Sequence, residues 1–227
     1  MRKDFPSSQN SFPVPAPFSP GETLARLRDR LTFDLAADVF DAPIWPPQGD
    51  HALNPDLSAA PVRAKPAAVL VPLIAHDEGV NVLLTLRTSK LRNHAGQVAF
   101  PGGRMDPEDA SPTQTAMREA LEEIGLDFGH VEPLGYLEPY QSGTGFRIIP
   151  VIGLVRPGFT LTLNEHEVDD AFEVPLSFLM GEDNHTRHRW ERDGVMRESW
   201  AMAYGERFIW GVTAGIIRRM WERHYRP

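Results

Sequence analysis

Residues 111–125 specify a helix from one end to the other, and that helix limits what can surround it. Ser111 is an N-cap candidate, and Gln114 stands three residues on, as in a capping box. Pro112 occupies the first helical position and Gly125 follows the last turn. Between them Met117, Ala120, Leu121 and Ile124 recur at i, i+3, i+4 and i+7. Such an apolar stripe has to be buried against another layer, most simply a sheet. Glu119, Glu122 and Glu123 stand on the other side, within an arc of roughly 100°. Glu119 and Glu123 are one turn apart, about 6 Å. Like charges at this spacing cost a helix about 0.3 kcal/mol per pair, and the helix dipole disfavours anions near the C-terminal end. Arg118 is the internal cation. Two readings stand at this point: an ordinary solvated acidic face, or a site for a hard divalent cation, which takes oxygen ligands.

The rest of the chain supplies the sheet. Stretches 67–75 and 80–87 read as strands joined by a turn at 76–79, with further strands at 97–100, 131–140, 146–155 and 160–163. Residues 174–180 begin a short helix or turn. Residues 208–224 read as a closing amphipathic helix, with Ile209, Val212, Ile216 and Met220 on one side. Helices and strands mix without strict alternation, so the expected class is α+β or a mixed α/β sandwich. Three segments divide the chain. Residues 1–20 form a Pro-rich flexible tail, with Pro6, Pro13, Pro15, Pro17 and Pro20; a neighbouring subunit could order it. Residues 21–66 hold a helix at 23–35, marked by Leu24, Leu27, Leu31 and Leu35, and then an irregular Pro-rich connector. Residues 67–227 form the compact domain.

Composition removes several function classes. With 23 basic against 31 acidic residues and a formal charge of −8, the chain is a poor general binder of nucleic acid. It has no polybasic stretch for an anionic membrane surface. The absence of cysteine removes disulfides, thiolate metal sites and cysteine nucleophiles. The longest apolar run, near 67–75, is too short to span a bilayer, and no apolar segment follows Arg2 and Lys3 as in a secretory signal. A soluble, cytoplasmic protein is expected.

Phe100-Pro101-Gly102-Gly103 precedes the helix. Two glycines after a strand allow a tight turn and close approach of backbone to a ligand. From Gly103 through Asp109 to Arg118-Glu119-Ala120-Leu121-Glu122-Glu123-Ile124-Gly125-Leu126, the chain resembles the Nudix box: Gly, five residues, Glu, seven residues, then Arg-Glu-apolar-any-Glu-Glu-any-Gly-apolar. The second half matches at every fixed position. In the first half Asp109 replaces Glu and eight residues separate it from Arg118, which leaves the role of Asp109 open. A second motif, Leu83-Leu84-Thr85-Leu86-Arg87 with Arg92, Gly96 and Phe100 to Gly103, resembles the signature of the coenzyme A diphosphatase branch of Nudix enzymes, with Thr88 where Ser or Ala is usual. The longer spacing and the Asp are features of that branch as well. The resemblance covers about residues 67–179, with a weaker echo at 209–214.

The resemblance implies an α/β/α sandwich with a mixed central sheet. It implies hydrolysis of a diphosphate linkage with Mg²⁺ or Mn²⁺ as cofactor, coenzyme A giving 3′,5′-ADP and 4′-phosphopantetheine. A different nucleotide diphosphate, such as ADP-ribose or a dinucleotide, is the alternative. A non-catalytic nucleotide-binding protein on this scaffold would usually lack the box carboxylates. By the resemblance Glu119 and Glu123 bind metal, Glu122 joins a second ion, the Gly103 carbonyl is a backbone ligand, and Arg118 orients a neighbouring glutamate. Glu167, in the acidic loop 164–170, matches the position of a general base; plain solvated surface is the other reading of that loop, and His166 the other base. Arg87, Arg92 and Arg104 flank the glycine turn, and arginine suits phosphate because its planar fork bonds two oxygens; pairing with the acidic site is the alternative. His94 lies in the same segment. Phe146 either stacks on adenine or fills core. The implied partner is a small nucleotide diphosphate, with no nucleic acid or membrane, bound by a monomer or homodimer.

Overall fold

The structure is a computed structural model that describes residues 1–4, 18–41, 49–58, 64–90, 94–192 and 194–226. The chain runs β1 (Arg2–Asp4), α1 (Pro20–Arg28), β2 (Lys65–His76), β3 (Gly79–Arg87), β4 (Val98–Ala99), β5 (Gly102–Arg104), α2 (Pro112–Ile124), β6 (Val131–Tyr136), β7 (Tyr140–Gln141), β8 (Phe146–Val155), β9 (Thr160–Thr162), β10 (Val168–Pro175), α3 (Leu176–Leu179), β11 (Thr186–Arg192), β12 (Val195–Tyr204), β13 (Arg207–Trp210) and α4 (Gly211–His224).

The central sheet has the order β10-β3-β2-β8-β6, with β4 on β3, β5 on β2 and β7 on β8. The β2–β8 pair is parallel and the others are antiparallel, so the sheet is mixed. Strands β2 and β8 are apolar on both faces, as strands covered from both sides are. Ala68, Leu70 and Ile74 of β2 pack with Ala116, Met117, Ala120 and Ile124 of α2. Val71 and Leu73 face the other way, toward Met202, Ile209, Ala214 and Ile217 from the three-stranded sheet β11-β12-β13 and α4. The result is the expected α/β/α sandwich with a mixed sheet. No helix among the described residues is long and apolar enough to cross a membrane.

Several elements differ from the sequence expectation, each for a visible reason. Helix α1 starts at Pro20, capped by Ser19, and stops at Arg28 rather than running to 35. Beyond it the Thr32 carbonyl accepts the Tyr136 amide at 2.9 Å, which draws the chain into extended form. Residues 208–210 belong to β13, and α4 begins only at Gly211, whose φ of 64° breaks the two elements apart. The stretch 131–140 is divided by a three-residue interval ending at Pro139. Strands β10, β11 and β12 were not expected at all. Residues 2–4, read as flexible tail, pair with Thr160–Thr162 of β9. Lys3 adds an ion pair to Asp170 at the start of β10.

Candidate active site

Helix α2 is capped as its sequence requires. Ser111 Oγ accepts the Gln114 amide at 3.2 Å, and Gly125 closes the helix at φ 68°. The reciprocal arm of the capping box is displaced by one residue, because Gln114 Oε1 takes the Ala110 amide. The helix is also rotated relative to the expected stripe. Leu121 is exposed, and Glu123 is buried in the sheet-facing surface with 3 % of its side chain accessible.

This rotation separates the three glutamates into different environments. Glu123 Oε2 accepts the Gly102 amide at 3.2 Å and Oε1 meets Arg87 Nη1 at 3.4 Å. Burial pushes its carboxyl up to about 7; Glu119 and Glu167 add to the shift, while Arg87 and the Gly102 amide oppose it. Glu119 is half-buried and also raised, by burial first and by Glu122 and Glu167 after it, against the pull of Arg118. Glu122 is exposed. Strand β5 holds Gly103 against Glu119 so closely that a Cβ there would fall 2.5 Å from Glu119 Oε1. At Gly102, with φ of 154°, a Cβ would fall 2.5 Å from the Ala68 carbonyl oxygen. Position 102 can only be glycine, whereas a side chain at Gly103 would push the Glu119 carboxylate aside.

Arg118 is the hub of the outer side. Its Nε and Nη2 bond the two oxygens of Asp109 at 3.3 and 2.9 Å. Nη1 reaches Glu119 at 3.0 Å and Glu122 at 3.2 Å, and Nη2 also donates to the Arg104 carbonyl. Asp109 additionally accepts Thr115 Oγ1 and the Asp106 amide, and the Arg118 hydrogen bonds lower its carboxyl to about 2. Asp109 is thus the anchor that points Arg118 at the carboxylates, a role the motif comparison left open. A signal existed: an acid just before the N-cap lies beside the first turns of the helix that follows.

Glu167 is brought to the same place. Asn164 accepts the Glu167 amide, donates through Nδ2 to Glu167 Oε1 at 3.2 Å, and donates its own amide to the Glu123 carbonyl at 2.9 Å. The Glu167 carbonyl in turn accepts the Thr88 amide, tying the loop to the end of β3. His166 is exposed. Of the arginines, Arg87 faces Glu123, Arg104 is exposed beside the glycine turn, and Arg92 lies outside the described residues. His94 bonds Gln97 at the surface, at φ 58°. Phe146 is half-buried, packs against the core and carries Lys65 over its ring at 5.2 Å. A groove of about 650 Å³ elsewhere, lined by residues including Leu35, Val39, Tyr136 and His224, contains none of these groups.

The donors gathered here are all oxygens, which suits Mg²⁺ or Mn²⁺. A Cβ on Gly103 would fill the space beside the Glu119 carboxylate, and Glu123 is an under-neutralised buried carboxyl; both features fit a cation. No three acidic or histidine side chains among the described residues converge as a cage, and Glu119 and Glu122 are bonded to Arg118.

Comparison with known proteins gives the family. The model of the NUDIX domain matches residues 64–198. The chain belongs to the Nudix family. It is 45 % identical over 157 residues to the uncharacterized Nudix hydrolase NudL of Yersinia enterocolitica, covering 68 % of this chain and 78 % of that one. It is 40 % identical over 189 residues to NudL of Enterobacter sp., covering 83 % and 95 %. Among solved structures, a Nudix hydrolase of M. smegmatis, RenU, superposes with a TM-score of 0.44 at 24 % identity, over 50 % of this chain and 72 % of that one.

Proposed function

We propose that this Nudix protein hydrolyses the diphosphate linkage of coenzyme A or its derivatives, releasing 3′,5′-ADP and 4′-phosphopantetheine. The observation that carries the reading is the buried Glu123 carboxyl between the Gly102 amide and Arg87, with Glu119 against Gly103 and the Glu167 loop tied through Asn164 to the Glu123 carbonyl. A divalent cation would be held by Glu119 and Glu123, with Glu122 and the glycine turn beside them; when bound it neutralises diphosphate oxygens and lowers the pKa of water. Arg118 orients Glu119, and Asp109 orients Arg118. Glu167, fixed by Asn164 and Thr88, takes the proton from the attacking water. The water oxygen bonds to phosphorus, the bridging P–O bond breaks, and the departing phosphate carries the negative charge. The exposed Arg104 and the open side of Arg87 meet substrate phosphates, and the Phe146 ring is the stacking surface for adenine.

The branch signature around Arg87 supports coenzyme A over other nucleotide diphosphates. The test is kcat/KM with Mg²⁺ or Mn²⁺ across coenzyme A, an acyl-coenzyme A, ADP-ribose and a dinucleoside polyphosphate. Coenzyme A or its thioester is expected to lead by at least about tenfold, or about 1.4 kcal/mol of transition-state discrimination. Equal or better turnover of ADP-ribose would reject the substrate assignment while leaving the diphosphatase assignment intact.

A further inference from the structure

Strand β11 forms the outer edge of the three-stranded sheet, and among the described residues no strand pairs with its free side. The peptide groups facing that edge can be identified from β12. Asn54 Nδ2 donates to the Glu198 carbonyl and Asn54 Oδ1 accepts the Glu198 amide, both at 2.9 Å. An amide used in this way is not donated to β11, so Glu198 and its register partner Arg189 are a non-hydrogen-bonded pair. Bonded and non-bonded pairs alternate along an antiparallel ladder. His188 and Trp190 therefore spend their peptide groups on β12, while Arg187, Arg189 and Glu191 turn theirs outward.

An edge strand with outward peptide groups is a template for another strand, and the side chains of this one select its partner. In antiparallel pairing about a two-fold axis through Trp190, Arg189 of each copy stands opposite Glu191 of the other, and the contact is made twice. These same residues exchange the backbone bonds. Moving the axis to Arg189 sets two guanidinium groups face to face. Arg189 has 71 % of its side chain exposed although Glu198 lies at 3.5 Å, and Glu191 is exposed. On one face, Trp190 stacks with His188 at 5.6 Å and meets Trp210 edge-on at 5.1 Å, while His188 meets Phe208 at 5.1 Å. Phe208 is an exposed large apolar residue. The two-fold axis brings two such clusters together across Trp190.

We infer that a second copy of this chain docks on β11, joining the two three-stranded sheets into one six-stranded sheet about an axis at Trp190. Isologous pairing of this kind needs one self-complementary segment, and 189–191 is one.

Sedimentation equilibrium of the full chain across a dilution series tests it. The wild type is expected to show a two-chain mass. Glu191→Arg, which places Arg opposite Arg at both contacts, should raise the dissociation constant at least about 100-fold with unchanged circular dichroism. The charge swap Arg189→Glu with Glu191→Arg should bring it back to within about tenfold of wild type; Arg187, 3.5 Å from Glu198, keeps that carboxylate paired in the swap. A one-chain mass for the wild type at every concentration, a dimer indifferent to Glu191→Arg, or a swap that fails to restore association would each overturn the proposal.

Discussion

Arg118 and Glu123 lie little more than one turn apart on α2, and the protein treats their charges in opposite ways. Arg118 is surrounded: Asp109 takes it with two oxygens, and Glu119 and Glu122 share its remaining nitrogen. Glu123 is starved: it has one guanidinium at 3.4 Å, one amide, and almost no water. The outer region is a satisfied ion cluster that contributes to stability. The inner one is a carboxyl held at a cost by packing, which is what a site prepared for a cation or a phosphate-bound ion requires. The difference is between a region whose charges the fold completes and one whose charges it leaves for a ligand.

The largest expected effect comes from removing the starved charge. Glu123→Gln should lower kcat at least about 1000-fold, because a metal ligand and its charge are lost together. The same change should stabilise the metal-free protein. A carboxyl raised from 4.5 to about 7 binds its proton more tightly when folded. Its contribution is therefore fully favourable below about pH 4.5, and is lost as pH rises through about 7. Urea titrations should find the variant more stable than wild type by about 1–3 kcal/mol at pH 8 and equal to it below pH 4.5. Equal stability at pH 8 would remove the contrast drawn above.

Arg118→Ala should act in the reverse sense. It strands the buried Asp109 carboxylate and should cost about 2–4 kcal/mol in the same titrations. It should also lower kcat about 100-fold, since Glu119 loses its orienting partner. A variant that keeps its stability but loses turnover would show that the cluster serves catalysis alone. The smallest effect is confined to acid. The Arg118 bonds hold Asp109 at about 2, below its ordinary 3.8. The stability it adds is present above about pH 4 and is lost as pH falls through about 2. Asp109→Asn should flatten that part of the acid-unfolding curve, and an unchanged acid limb would contradict the pairing.

The legibility of these features in the sequence follows their range. Helix α2 and strand β8 were placed almost to the residue, because caps, prolines, glycine and an unbroken apolar run are local signals. The glycine turn was legible for the same reason. The burial of Glu123 was not, because helical spacing alone groups it with Glu119 and Glu122. Only the position of Gly102 and Arg87 across from α2 decides which glutamate is turned inward. The outlying hairpin β11–β12 has a local signal, Asp193-Gly194 between two stretches of alternating character. The pairing of β1 with β9 had no such signal. Three polar residues become a strand only because another strand edge is there to receive them.

The tight fit of Gly103 against Glu119 carries a consequence for how this protein can change. Every amino acid that one base change can put in place of glycine brings at least a Cβ, and that atom would displace the Glu119 carboxylate from its place. In a library of random variants position 103 should stay blank among the active clones, whatever substrate is used for selection. New specificities would have to arise by altering the arginines and the aromatic ring around that point, while the turn itself stays as it is.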